Sequence, residues 1–324
     1  MLFRSVPGGR REIPWRFLGR TECMRCHQCW SSDTLSFNWL QLGSLPPSDT
    51  SEFRRLTDLG ILQIKSPPKP EEWQELVDPY DAGRPLEARA RSWLHVNCAG
   101  CHRFNGGGSV PLMLSYDRKS SDMRAIDEKP TRGQFDLVDA RIIAPGDPYR
   151  STLYYRIGSE GSGHMPHIGS RLTDESGWSV IRDWIRSLPA KPAGPGVSSL
   201  NQTIATALHQ GDVASLLSTM NGALALASSP DDSRRPAAAS AAASHTNAMI
   251  REFLQRLLPP EQRRHTLGAD VRPETILALR GEPERGRELF AGVSQCSRCH
   301  AMQGTGRAYG PDLVAAAQIG RAHV

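Results

Sequence analysis

The chain has 324 residues, 39% hydrophobic and 23% charged, enough for two or three small domains and too many for a single compact module. No run of about 18 apolar residues occurs, the longest candidate being the short stretch around Ala223 to Ala227, so no segment is suited to span a bilayer. The 39 basic against 34 acidic residues give a net charge of +5, and the basic residues (34 Arg, 5 Lys) are scattered, which describes a solvated mixed-charge surface and not a nucleic-acid-binding face.

Aromatics are 6% of the chain beside 24 Pro and 29 Gly, a composition that predicts a loop-rich fold with small cores needing something besides apolar side chains to fill them. Residues 1–20 are Arg-rich and lack the apolar core and small-residue cleavage site of a secretory signal. Cys23-Met-Arg-Cys26-His27 follows. Between Asp49 and Leu62 an amphipathic segment carries Phe53, Leu56, Leu59 and Ile61, and Pro-rich residues 67–80 read as a linker. Pro85 then opens a predicted helix over Leu86–Asn97 with Ala90, Trp93 and Leu94 on one face. That helix delivers a second motif, Cys98-Ala-Gly-Cys101-His102.

Residues 103–170 read as irregular chain, including Gly106-Gly107-Gly108 and the loop Gly161-Ser-Gly-His164-Met165-Pro-His167. Asp174–Leu188 is predicted helical, with Trp178, Ile181, Trp184, Ile185 and Leu188 on one stripe. After a Pro/Ala/Gly linker, about Ser198 to Arg280 is helical and free of Cys, with a low-complexity Ala/Ser stretch near Pro236–Ser244. Glu284–Gln295, with Arg287, Leu289, Phe290 and Val293, repeats the logic of the helix before the second motif and presents a third, Cys296-Ser-Arg-Cys299-His300.

Six of the seven cysteines thus fall into three copies of C-x-x-C-H. Two thiols three residues apart on one helical turn suit thioether bonds to the two vinyl groups of one porphyrin, and the following His brings its imidazole under the iron. The candidate attachment residues are Cys23, Cys26, Cys98, Cys101, Cys296 and Cys299, and the candidate axial ligands are His27, His102 and His300. Zinc is the competing reading, but paired C-x-x-C zinc modules place the second pair about 12 to 20 residues away, and these copies are far more widely spaced. Cys29 is outside the pattern and reads as a bystander thiol.

Low-spin haems take a second axial ligand, often Met. Met165, in a Gly/Pro-rich loop before the predicted 174–188 helix, is the expected sixth ligand of the second haem; the competing reading is a core Met. No Met lies between His27 and Cys98, so the first haem would draw on Met113, Met123, His95, His164 or His167, each also readable as structural, or keep an open sixth position. For the third haem Met302 is too close in sequence to reach the opposite face of the iron.

Several segments carry a family likeness: Trp15-Arg-Phe-Leu-Gly-Arg-Thr-Glu-Cys23 through Phe37-Asn38-Trp-Leu-Gln41-Leu42, Arg89-Ala-Arg-Ser-Trp-Leu-His-Val-Asn97 before the second motif, and Asp139-Ala-Arg-Ile-Ile-Ala-Pro-Gly-Asp147. In this order they make about residues 12–188 resemble bacterial diheme c-type cytochromes, in which the Gly-His-Met165-Pro loop looks like the axial-ligand loop. Cys29 departs from that pattern. A second resemblance covers about residues 246–317: Ile250-Arg-Glu-Phe-Leu, Leu258-Pro-Pro-Glu261, Leu277-Ala-Leu-Arg-Gly281, Arg285-Gly-Arg-Glu-Leu-Phe290 and Gly310-Pro311-Asp312-Leu313. It looks like the C-terminal haem-binding module of planctomycete-type multidomain proteins, which is often fused to quinoprotein sugar dehydrogenase propellers.

The expectation is therefore a mostly α fold of cytochrome c-like haem modules joined by a helical spacer: a diheme region (1–190), the spacer with an Ala/Ser-rich linker (191–280) and a truncated cytochrome c domain (281–324). Up to three covalent haem c groups would make it a one-electron carrier, periplasmic or otherwise exported, served by redox partner proteins such as a quinoprotein dehydrogenase. The alternatives are a multihaem peroxidase, the haem portion of a quinoprotein sugar dehydrogenase, or a zinc-stabilised scaffold. No nucleotide-binding Gly motif and no propeller-like repeat is present. Because c-type haem is attached outside the bacterial cytoplasm, the chain reads as a fragment with a start further upstream; Ile319–Val324 look like translated adapter sequence.

Overall fold

In the computed structural model the described residues are 2–6, 9–13, 18–24, 26–27, 39–42, 52–63, 74–161, 163–169, 172–192, 194, 196–229, 235–258, 262–263, 274, 276, 278–292, 296–298, 300–307, 310 and 312–315. Cys29 and Cys299 lie outside them. The structure is 48% helix and 4% strand, the mostly α class read from the sequence. No helix among the described residues is long and apolar enough to cross a membrane. The chain divides into two compact units, Met1–Arg264 and His265–Val324.

The first unit begins with an antiparallel hairpin, β1 (Leu2–Val6) and β2 (Gly9–Ile13), in which Leu2 faces Ile13 and Val6 faces Gly9. A short helix α1 (Arg20–Cys23) and α2 (Glu52–Asp58) follow. In α2 Leu56 is buried, whereas Leu59 and Ile61, beyond its end and on either side of the left-handed Gly60, are exposed.

Two helices form the heart of the unit. α3 (Leu86–Cys98) buries Ala90, Trp93 and Leu94, and α5 (Glu175–Ser187) buries Trp178, Ile181, Trp184 and Ile185, which are the faces that the apolar spacing predicts. The two helices pack on each other, and Asp174 ties them together. Its Oδ1 accepts from the Gly177 amide at 3.1 Å and caps α5, while its Oδ2 accepts from Trp93 Nε1 at 2.8 Å and Tyr80 Oη at 2.6 Å. Gly177 permits the close approach, since a Cβ there would lie 2.0 Å from Trp93 Nε1.

Between α3 and α5 the chain is irregular, as its Gly and Pro content predicts, apart from 3-10 turns and the buried helix α4 (Thr152–Gly158). The sequence of α4 is dominated by aromatic and β-branched residues that carry no helical preference, and burial decides it. Tyr154 of α4 stacks on Trp178 with ring centroids 4.8 Å apart, and Trp178 Nε1 donates to the Tyr154 carbonyl at 3.0 Å.

Five more helices follow: α6 (Val197–Gln210), α7 (Val213–Leu217), α8 (Met220–Ala227), α9 (Arg235–Ala243) and α10 (Ala248–Leu254). One hydrophobic core runs from Ala90 through to Leu254 with no break at residue 190. The Ala/Ser stretch forms α9, in line with alanine's helix preference, and Ala238 and Ala239 are buried.

In the second unit, α11 (Pro283–Ala291) buries Phe290 and ends at Gly292. A 3-10 turn at Cys296–Arg298, a small hairpin of β3 (Ala301–Met302) and β4 (Thr305–Gly306), and helical residues 313–315 follow.

Candidate haem-attachment sites

All three motifs share one backbone hydrogen bond. The amide of the His donates to the carbonyl of the first Cys at 2.9 Å in each: His27 to Cys23, His102 to Cys98 and His300 to Cys296. In the first two the second Cys also donates to that carbonyl, Cys26 to Cys23 and Cys101 to Cys98, both at 3.1 Å. Each of these His amides therefore closes a helical turn onto the carbonyl of its first Cys.

The second motif is the most fully built. α3 carries Cys98 at its last turn, and the chain after His102 folds back on it. Gly108 donates to the Cys101 carbonyl at 3.0 Å and Leu114 to the His102 carbonyl at 2.8 Å. The imidazole lies against glycine backbone, because a Cβ on Gly108 would stand 2.8 Å from His102 Nδ1 and one on Gly106 would stand 2.2 Å from the Cys101 carbonyl oxygen. The third motif repeats this feature: a Cβ on Gly310 would lie 2.6 Å from His300 Cε1, and one on Gly306 would lie 2.2 Å from the His300 carbonyl oxygen. The Gly106–Gly108 run was legible in sequence as a loop, but its role in seating His102 was not.

His102 Nδ1 is buried and has no hydrogen-bond partner among the described residues. Burial lowers the pKa of the ring, and Arg156 and His167 lower it further, so the imidazole is neutral at pH 7 and one ring nitrogen has a lone pair for a Lewis acid. Burial pushes the Cys98 thiol up to about 12, with Cys101 a second cause, which keeps it protonated. Val96 and Phe104, which flank the motif, are 59% and 71% exposed, an apolar surface of the sort a porphyrin covers. A neutral, half-buried imidazole, two cysteines on its turn and uncovered apolar side chains fit a covalent haem.

Met165 is half-buried, and its loop is held on α4 by Arg156. The Met165 amide donates to the Arg156 carbonyl at 3.1 Å, and Arg156 Nη1 donates to the Gly163 carbonyl at 3.0 Å. Arg156 also lies over the Phe135 ring at 4.5 Å. Arg156 and His167 both act electrostatically on His102. Arg156 carried no sequence signal for this part.

Among the other candidates, His95 is buried and its Nδ1 accepts from the Tyr116 amide at 3.2 Å, while His164 is buried with its Nδ1 against the Ser159 carbonyl. Met123 is fully buried in the core, its carbonyl accepting from the Met113 amide at 3.0 Å. His167 is exposed. Met302 sits in the β3–β4 hairpin directly after the third motif. In the first motif Cys23 and His27 are exposed and Cys26 is half-buried. Cys26 Sγ stands 3.0 Å from Cys101 Sγ, so the first and second motifs meet. Among the described residues no three His, Cys, Asp or Glu side chains converge as a metal cluster.

Comparison with protein-family models, curated proteins and solved structures found no match to this chain.

Proposed function

We propose that the chain is a c-type cytochrome that transfers single electrons through covalently attached haem, up to three groups, one per C-x-x-C-H motif. The observation that carries this reading is the repeated turn, in which each motif's His amide donates to its first Cys carbonyl at 2.9 Å. Cys98 and Cys101 would hold the second porphyrin and His102 would ligate its iron, with Cys23, Cys26 and His27 serving the first and Cys296, Cys299 and His300 the third. When bound, haem supplies an iron that cycles between two oxidation states one electron apart.

The chain's own contribution is orientation and shielding. Gly108 and Gly310 admit their imidazoles against the backbone, burial keeps His102 neutral, and Arg156 anchors the loop that carries Met165 as candidate sixth ligand. The chain is proposed to work outside the cytoplasm, taking electrons from a periplasmic dehydrogenase, a quinoprotein among the candidates. The likeness to diheme cytochromes and to a dehydrogenase-linked haem module supports these last points.

The test is a reductive titration of chain exported from a host with cytochrome c maturation machinery. A carrier gives reversible low-spin spectra and negligible peroxide turnover. A stable high-spin band with rapid peroxide consumption would instead make it a multihaem peroxidase.

A further inference from the structure

Cys26 Sγ and Cys101 Sγ are 3.0 Å apart although 75 residues separate them in the chain. The backbone of each is held by its own hydrogen bonds: the Cys26 amide donates to the Cys23 carbonyl, the Cys101 amide donates to the Cys98 carbonyl, and the Cys101 carbonyl accepts from the Gly108 amide. Both side chains are half-buried, within reach of a small oxidant, and no disulfide involves Cys23, Cys26, Cys98, Cys101 or Cys296. A disulfide needs the two sulfurs to approach by about 1 Å more.

We propose that, before haem is attached, Cys26 and Cys101 close a disulfide that links the first motif to the second. One thiolate attacks the disulfide of an oxidant, a small-molecule or protein disulfide, and releases one thiol from it. The other thiolate then attacks the resulting mixed disulfide and releases the second, so two cysteines lose two protons and two electrons while the oxidant's S–S bond becomes two S–H groups. The bond occupies one attachment thiol of each motif at once. On the haem reading of these motifs, on which this consequence rests, a reductant must open it before either porphyrin is fully attached.

The experiment uses the full chain produced without haem under reducing conditions, treated with oxidised glutathione, alkylated, digested with trypsin and mapped by mass spectrometry. Arg25 lies between Cys23 and Cys26, so trypsin places them in separate peptides. The expected product joins the Cys26 peptide to the peptide holding Cys101. It persists in Cys23→Ser and Cys98→Ser and is lost in Cys26→Ser and Cys101→Ser. Oxidation that joins Cys23 to Cys26 and Cys98 to Cys101 within their motifs, or that leaves all four alkylated, overturns the proposal. Haem incorporation is read separately by intact mass. A chain that cross-links but never acquires haem upholds the disulfide and overturns the cytochrome reading, and one that acquires haem but never cross-links does the reverse.

Discussion

Single side chains set the chemistry at the second motif, and glycine is as consequential there as histidine. Gly108 leaves room for the His102 imidazole, and adding one methyl group would place it 2.8 Å from Nδ1. Gly108→Ala is expected to leave both thioether bonds and the protein's mass gain intact while shifting the haem absorption bands, because only the ring must move; an unchanged spectrum would count against this role. Asp139 makes a second residue-scale case. Its carboxylate meets Arg150 Nη2 at 2.5 Å and Arg141 Nη1 at 2.8 Å and accepts from the Gly194 amide at 3.2 Å. Burial raises its pKa, but Gly194, Arg150 and Arg141 together outweigh that, and the net shift is downward from 3.8. A lowered carboxylate pKa stabilises the fold at pH above 3.8, and that contribution disappears as pH falls through the lower folded-state value. Asp139→Asn should therefore cost about 1–2 kcal/mol near neutral pH, discounted for partial exposure, and flatten the acid side of a Tm-against-pH curve. Arg150, buried and left with only the Asp147 carboxylate at 4.0 Å as a charge partner, is the reason for the cost.

At the scale of elements, the contact of α3 with α5 joins the second motif to the core. Gly177 sits where Trp93 and Asp174 converge, and a Cβ would meet the indole at 2.0 Å. Gly177→Ala is expected to destabilise the first unit by about 1–3 kcal/mol through overpacking, despite alanine's better helix propensity. Thermal unfolding of the variant checks this, and a Tm equal to or above that of the parent would show that the interface yields. Both helices were legible from the sequence, because Ala90, Trp93 and Leu94 after Pro85 mark one face and Trp178, Ile181, Trp184 and Ile185 define one stripe. α4 was not, since Leu153, Tyr154, Tyr155 and Ile157 form a helix only because the core encloses them. α9 was read as low complexity because its alanines carry no periodic signal, yet burial of Ala238 and Ala239 places it on the core. The β1–β2 hairpin had no strand signal in the reading of residues 1–20 as Arg-rich chain.

On the scale of the whole molecule, three copies of one motif recur in two compact units, two in the first and one in the second. The motifs and their histidines were legible because covalent attachment imposes a fixed short spacing that chance rarely produces. The glycines that seat the imidazoles, the Arg156 anchor and the approach of Cys26 to Cys101 were not, because each joins residues that only the folded chain brings together. The helices from Val197 to Leu254 likewise read as a separate segment in sequence, although they share the core that supports the second motif. The measurement that tests the central claim most directly is intact mass together with a reduced-pyridine haem spectrum, on chain exported from a host with cytochrome c maturation machinery. The account predicts a mass gain of one haem per motif and the spectrum of a porphyrin that has lost both vinyl groups to thioether bonds. Soluble, folded chain with no covalent haem would contradict it.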